Sequence, residues 1–317
     1  MDQLVVGIDV GGQTSKLGVV DARGTVLAQT VIRTDTYSDV APYIAELAEA
    51  VNKVIKEAGA EGKVRGVGVG APNGNYYTGA IESAPNLPWA HDKVEFAKLL
   101  SEALGGLPVA LTNDANAAAV GEMTYGAARG MKNFIMITLG TGVGSGIVIN
   151  GEVVYGHDGF AGELGHTAAV RNNGRACGCG KSGCLEAYAS ATGVARTARE
   201  WLELTDEPSL LRNLDTIASK DVYEAAKEGD KLALKIFDFT GKILGRSFAD
   251  FIAFSAPEAI VLFGGLARAK EFLLAPMEDA MNANVLSLWR NKVKIVFSQL
   301  KESDAAILGA SALAWEL

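Results

Sequence analysis

The sequence predicts an α/β protein built as two lobes. Three observations lead there. The 317-residue chain is 49% hydrophobic and carries both charge signs, which is enough apolar material for real cores and a length suited to roughly two domains. Two segments repeat one design of strand, glycine turn and strand. Long amphipathic patterns of Ala, Leu, Lys and Glu fill most of the remainder.

The first segment opens with an apolar run, Leu4 to Asp9, that ends at Gly11 and Gly12. Lys16 to Val20 and Thr25 to Ile32 follow, separated by a DARG turn, which gives three strands joined by turns. A dinucleotide or Walker loop would place a helix directly after the glycines, and neither spacing is present, so the context excludes that reading. An amphipathic helix is expected over Asp39 to Ala58 and an apolar strand over Val64 to Val69, before a loop rich in Pro, Asn and Gly from Ala71 to Trp89. FIMITLGTGVGSGIVINGEVVYG then repeats the opening: a strand to Leu139, a turn through Gly140, Gly142 and Gly144, a strand to Ile149, an Asn150-Gly151 turn and another strand. Helices are expected over Thr192 to Leu204, Val222 to Phe237 and Thr240 to Phe254, with a last strand, Ala259 to Phe263, ending in Gly264-Gly265.

Composition excludes several classes. A formal net charge of −8 without a Lys/Arg block disfavours nucleic acid as a partner. MDQLVVGIDVGG lacks a basic leader and its apolar run is too short for a secretion signal, and no stretch reaches membrane-spanning length, so a soluble cytoplasmic protein is expected. Three cysteines, an odd number, argue against a disulfide framework and leave metal binding or free thiols.

Strands that end in glycine clusters offer backbone amides where a side chain would block close approach of a phosphate. One such turn is as readily a simple hairpin; this chain has three. Asp114, between the strand Val109 to Thr112 and a helix beginning near Ala115, is a candidate general base, or else the N-cap of that helix. All three cysteines lie in CGCGKSGCLE, Cys177 to Glu186. A structural zinc ion takes four thiolate or imidazole ligands. Cys177, Cys179 and Cys184 would supply three, and the fourth must come from elsewhere; the alternative is a loop of reduced thiols.

GIDVGGQTSKLGVV, LGTGVGSGIV and LFGGLA resemble the two phosphate motifs and the adenosine motif of the sugar-kinase branch of the actin, Hsp70 and hexokinase fold. TNDANAAAVGE, GELGH and CGCGKSGCLEAYASATG are similar to the sugar and zinc segments of its ROK family, above all the bacterial glucokinases. The resemblance covers essentially the whole chain and implies a ribonuclease H-like α/β fold with duplicated phosphate hairpins. It implies a small lobe of residues 1–112 plus 303–317 and a large lobe of 113–302 with the zinc loop, with sugar and nucleotide bound in a cleft. Where the family usually has Thr, this chain has Gln13, whose amide can still donate hydrogen bonds to a phosphate.

By that resemblance Asp114 is the catalytic base, and Asn113, Glu163, His166, Glu186, Asn86 and Gly74 contact the sugar. For either glutamate the alternative is a solvated charge or a helix cap. Asp9 would position Mg²⁺, Gly11, Gly12, Gln13 and Thr14 the β- and γ-phosphates, Gly140, Thr141 and Gly142 the phosphates again, and Gly264 with Gly265 the nucleoside. Lys16 is open to two readings, toward the phosphates or toward solvent. His166 joins the cysteines as the fourth zinc ligand, and Asn116 supports the turn at Asp114. The implied reaction is MgATP-dependent phosphorylation of the 6-hydroxyl of a hexose, glucose first, by a homodimer. The competing expectations are an N-acetylhexosamine kinase, a noncatalytic sugar-sensing module and a sugar-responsive repressor, the last requiring a helix-turn-helix domain ahead of Asp9.

Overall fold

The computed structural model describes residues 3–317. Its elements in chain order are β1 (Leu4–Val10), β2 (Thr14–Val20), β3 (Val26–Arg33), α1 (Val40–Glu57), β4 (Val64–Ala71), β5 (Gly74–Asn75), β6 (Ala80–Glu82), β7 (Lys93–Val94), α2 (Phe96–Ala103), β8 (Val109–Asn113) and α3 (Asp114–Thr124). There follow β9 (Phe134–Leu139), β10 (Val143–Ile149), β11 (Glu152–Val153), α4 (Glu186–Ala189), α5 (Ala191–Leu204), α6 (Ser219–Lys227), α7 (Lys231–Ser255), β12 (Ala259–Phe263), α8 (Lys270–Asn284), β13 (Lys294–Phe297) and α9 (Glu302–Leu313).

The duplication is a fact of topology. One sheet has the order β3-β2-β1-β4-β8, and a second has β11-β10-β9-β12-β13, so in each a meander occupies one side and parallel strands the other. β1 pairs antiparallel with β2 and parallel with β4, and β4 pairs parallel with β8. β12 is parallel to both β9 and β13. β1 is buried along nearly its whole length, as a strand covered on both faces must be, whereas β3 at the edge alternates between half-buried and exposed. Asn150 and Gly151 both have positive φ, 55° and 84°, the backbone that a two-residue hairpin turn demands.

Two compact units result: Met1–Met131 with Gly146–Gly162 and Gln299–Leu317, and Lys132–Ser145 with Glu163–Ser298. This corrects the division expected at 112/113. α3 stays with the first unit because it packs on α9, where Gly121 and Gly309 let the two helix backbones meet: a Cβ on Gly121 would lie 2.6 Å from the Gly309 Cα. α9 lies as close against the first sheet. A Cβ on Gly68 would collide with the Ala310 carbonyl, and one on Gly7 with the Ile307 carbonyl. No other residue permits that approach.

Within the first unit the core joins β1, β2 and β4 to α1, whose buried stripe of Tyr43, Ile44, Leu47, Val51 and Val54 follows the helical repeat. Asp39 caps this helix by accepting a hydrogen bond from the Ala41 N–H at 3.1 Å. In the second unit the core gathers β9, β12 and α5 to α8. The helices expected over 222–237 and 240–254 divide elsewhere. Gly229, at φ 83°, ends one, and Asp230 starts the next by accepting from the Ala233 N–H at 3.0 Å, so α7 runs unbroken through 238–239.

Gly68→Ala is expected to destabilise the first unit by about 2–4 kcal/mol, since backbone carbonyls rather than a flexible side chain would have to give way. Gly59→Ala, at a left-handed position with nothing within 4 Å, should cost only about 1 kcal/mol. Chemical denaturation of the two variants checks the difference.

Candidate active site

In the first unit, strand register assembles the acidic residues. Asp9 pairs with Gly70 across β1 and β4, and Gly70 pairs with Thr112 across β4 and β8, so the carboxyl ends of three parallel strands are level. Asp114 follows directly as the first residue of α3. A Cβ on Gly70 would press on the Ala117 Cβ at 3.1 Å, so the missing side chain lets the first turn of α3 settle against β4. The helix cap proves to be Asn113, whose Oδ1 accepts from the Ala115 N–H at 2.8 Å; Asp114 Oδ1 accepts from the same N–H at 2.8 Å and leaves its second oxygen for other partners. Asp114 is open to solvent, while the protein packed around it pushes its carboxyl above the usual carboxylate range, against the pull of backbone N–H groups.

Burial pushes the Asp9 carboxyl up to about 6, the charge of Asp114 adds to the shift, and Lys16 opposes it. Asp9 and Lys16 are directly paired across β1 and β2, which puts the lysine beside the carboxylate rather than on a solvent face. Between them the Gly11 N–H donates to the Thr14 carbonyl at 3.1 Å and closes the turn. Gly12 backs onto the loop carrying Asn86: a Cβ there would lie 2.9 Å from the Asn86 carbonyl oxygen. Gln13 is exposed. Gly74 is buried against Thr112, where any Cβ would strike that residue's carbonyl. Asn116 is buried at 3% exposure in the first turn and a half of α3.

In the second unit the turn between β9 and β10 is tighter, the Gly140 N–H donating to the Gly142 carbonyl at 3.0 Å. Gly140 and Thr141 are accessible. Gly142 abuts the Glu186 carboxylate, and Glu186 Oε2 accepts from the Val143 N–H at 2.9 Å. The glutamate expected at the sugar thus holds the β9–β10 turn, a long-range link with no local signature. Glu163 is exposed just ahead of a short 3₁₀ turn, Leu164–His166, whose Leu164 N–H donates to Ser145 Oγ at 3.0 Å. Gly264 sits at φ 106° against the Leu139 carbonyl, and Gly265 faces open space.

His166, Cys177, Cys179 and Cys184 converge, their ligand atoms all within 4.8 Å of one another. Cys179 Sγ lies 3.6 Å from Cys184 Sγ, and Cys177 Sγ lies 3.8 Å from His166 Nδ1. Those separations match the edge of about 3.7 Å of a tetrahedron with zinc–sulfur bonds near 2.3 Å. The donor set therefore fits structural zinc. Cys177 Sγ is also 3.7 Å from Glu186 Oε1, which joins the cluster to the β9–β10 turn. Sequence reasoning missed the anchor of this loop. Arg175 is clamped by Glu200 at 2.6 Å and Thr197 Oγ1 at 2.8 Å, its guanidinium lies over the Tyr188 ring at 4.6 Å, and its own N–H donates to the Tyr188 hydroxyl at 2.8 Å. Only its position two residues before Cys177 could have flagged it.

Among the described residues no helix is long and apolar enough to cross a membrane. The ROK family model matches residues 5–316. The chain is 37% identical over 313 residues to a glucokinase of Halalkalibacterium halodurans, covering 97% of this chain and 94% of that one. It is 35% identical over 314 residues to a glucokinase of Thermotoga maritima, covering 98% and 96%. A ROK family glucokinase from Streptomyces griseus, solved in complex with glucose and AMPPNP, matches with a TM-score of 0.80 at 33% identity, over 99% of this chain and 100% of that one. The fold is the actin and hexokinase-like one.

Burial raises the Asp9 carboxyl from its ordinary value of 3.8 to about 6 on folding. Between those values the folded state holds a proton that the unfolded state has lost, so stability falls as pH rises through this window and the penalty is complete above it. Asp9→Asn carries no charge. In the absence of divalent cations and nucleotide its Tm is expected to exceed that of the unsubstituted protein at pH 8, with the advantage shrinking toward pH 4. A Tm difference independent of pH would remove the buried charge at Asp9.

Proposed function

Because the chain belongs to the ROK family, we propose that it is an ATP-dependent glucose 6-kinase. The observation that carries the reading furthest is the nearness of Asp9 to Asp114. Level parallel strands bring two carboxylates within electrostatic reach, one beside a lysine and a glycine turn, the other open to solvent at the head of a helix. Phosphoryl transfer needs such a division, with one carboxylate for the metal of the nucleotide and one for the acceptor hydroxyl.

Asp114 accepts the proton of the 6-hydroxyl as that oxygen bonds to the γ-phosphorus and the bond from phosphorus to the ADP oxygen breaks. Its raised affinity for protons makes it a better base than an ordinary carboxylate. Gly11, Gly12, Gln13, Thr14 and Lys16 hold the β- and γ-phosphates, Gly140, Thr141 and Gly142 add further amides, and Gly264 and Gly265 take the nucleoside. Asn86, Asn113, Glu163, His166 and Glu186 hydrogen-bond the other sugar hydroxyls, with Gly74 supporting that side through its backbone. Mg²⁺ bound with ATP would neutralise phosphate charge, and Asp9 is the residue to hold it, most simply through water. His166, Cys177, Cys179 and Cys184 hold zinc, whose contribution is to brace the loop that carries Glu186. The cytoplasm and a homodimer accompany this reading as family expectations.

Asp114→Asn is expected to lower kcat/KM about 10²–10⁴-fold, with KM for glucose little changed because an amide still hydrogen-bonds. In the unsubstituted enzyme kcat/KM should decline on the acid side at a pH above the ordinary carboxylate range, since only ionised Asp114 is active. Full turnover by Asp114→Asn would refute its role as base. Across glucose, mannose, fructose, allose, N-acetylglucosamine and N-acetylmannosamine, glucose should have the highest kcat/KM, and another sugar ahead of it would change the assignment.

Metal analysis of the purified protein is expected to find one zinc per chain. Cys179→Ser should reduce zinc content and Tm together, while a folded, metal-free protein would remove the zinc assignment.

A further inference from the structure

Tyr43 takes no part in the reaction described above, yet it touches both of the loops that do. It lies on α1, wholly buried, with its hydroxyl 2.6 Å from Ser15 Oγ. Ser15 Oγ is in turn 2.7 Å from Thr34 Oγ1, and both of those residues are also fully buried. The Thr34 N–H donates to the Gln13 carbonyl at 2.9 Å. A chain of three buried hydroxyls thus holds the end of the phosphate turn through the Ser15 side chain, beside the Thr34 backbone bond to Gln13. Packing alone does not call for it, since Phe, Ala and Val would fill the same space without polar groups to satisfy. Burial pushes the Tyr43 hydroxyl up to about 12, so it keeps its proton throughout the working range.

The ring of Tyr43 does something different. It stacks on the Trp89 indole, with centroids 4.6 Å apart and planes 21° from parallel. Trp89 closes the loop that presents Asn86, a loop pinned by Ala84 N–H to Ala90 carbonyl at 2.9 Å and Leu87 N–H to Ala84 carbonyl at 3.0 Å. Asn86 then meets the phosphate turn at Gly12, where a Cβ would lie 2.9 Å from its carbonyl oxygen. From the turn the contacts run through Ser15 and Tyr43 to Trp89, and the backbone of the pinned loop carries them on to Asn86 and back to the turn.

We propose that Tyr43 is a positioning residue that couples the donor-phosphate turn to the acceptor-sugar loop, its hydroxyl fixing the turn and its ring fixing Asn86. The inference rests on the kinase reading of these two loops. It separates two effects on one side chain. A hydroxyl deletion should loosen the phosphates and spare the sugar, because the ring and its stacking on Trp89 remain; loss of the ring should loosen both.

The test is Tyr43→Phe, with ADP and glucose affinities measured by calorimetry alongside steady-state kinetics. ADP Kd and KM for ATP are expected to rise about 5–10-fold, with the glucose values within twofold. Tyr43→Leu should raise both sets. Ser15→Ala breaks the same link from the other end, so it should reproduce the nucleotide-selective loss and add little to Tyr43→Phe in the double variant. Val54→Ala, in the buried stripe of the same helix, serves as a control that lowers stability and should leave both affinities unchanged. Unchanged ADP affinity in Tyr43→Phe, or an equal loss in Val54→Ala, overturns the inference while leaving the kinase reading intact. An unsubstituted protein that binds no nucleotide overturns both.

Discussion

The first unit depends on a contact made without side chains. α9 lies so near β1 and β4 that the carbonyls of Ile307 and Ala310 occupy the space a Cβ would need at Gly7 and Gly68. The same helix meets α3 at Gly309 and Gly121, and α3 begins at Asp114. Sheet, α9 and α3 are therefore spaced by glycines at every step, and the helix that Asp114 heads is seated by two backbone-to-backbone approaches. Dense packing of this kind does not deform gradually, so an added methyl at either interface displaces a helix rather than a rotamer.

Electrostatics pulls against that packing. Packed protein pushes the carboxyls of Asp9 and Asp114 up, and the charge of Asp114 adds to the shift of Asp9, an arrangement that costs stability once both are ionised. The second copy of the hairpin avoids the cost. Counting back from its turn, the position of Asp9 is taken by Thr138, whose hydroxyl accepts from the Gly144 N–H at 3.1 Å and so serves the turn itself. One copy of the repeat carries the charge, and the other carries only amides and hydroxyls.

Much of this could be read in the sequence where the information is local. Strand ends at Leu139 and Phe263 and the Asn150-Gly151 turn are marked by apolar runs, glycine and asparagine within a few residues of one another. The cysteine spacing and the family motifs pointed to the ligand cluster that the fold assembles. What was hidden depends on partners far along the chain or on competition between neighbours. The helix break at Gly229-Asp230 was misplaced because apolar periodicity runs on through it, and the cap fell to Asn113 rather than Asp114 because both side chains suit that role. The bond from Glu186 to Val143 spans 43 positions and that from Ser15 to Tyr43 spans 28, and nothing in either local pattern announces the other end. Assigning α3 to the second lobe failed for the same reason, since its partner is the distant α9.

The return of residues 299–317 to the first unit has a consequence for biosynthesis. A nascent chain emerging from the ribosome can complete the second unit, which ends at Ser298, while the first still lacks the helix that covers Gly7 and Gly68. That sheet is sealed only once residues 299–317 have been made, which leaves β1 and β4 with an uncovered apolar face until then and makes a late segment complete an early one.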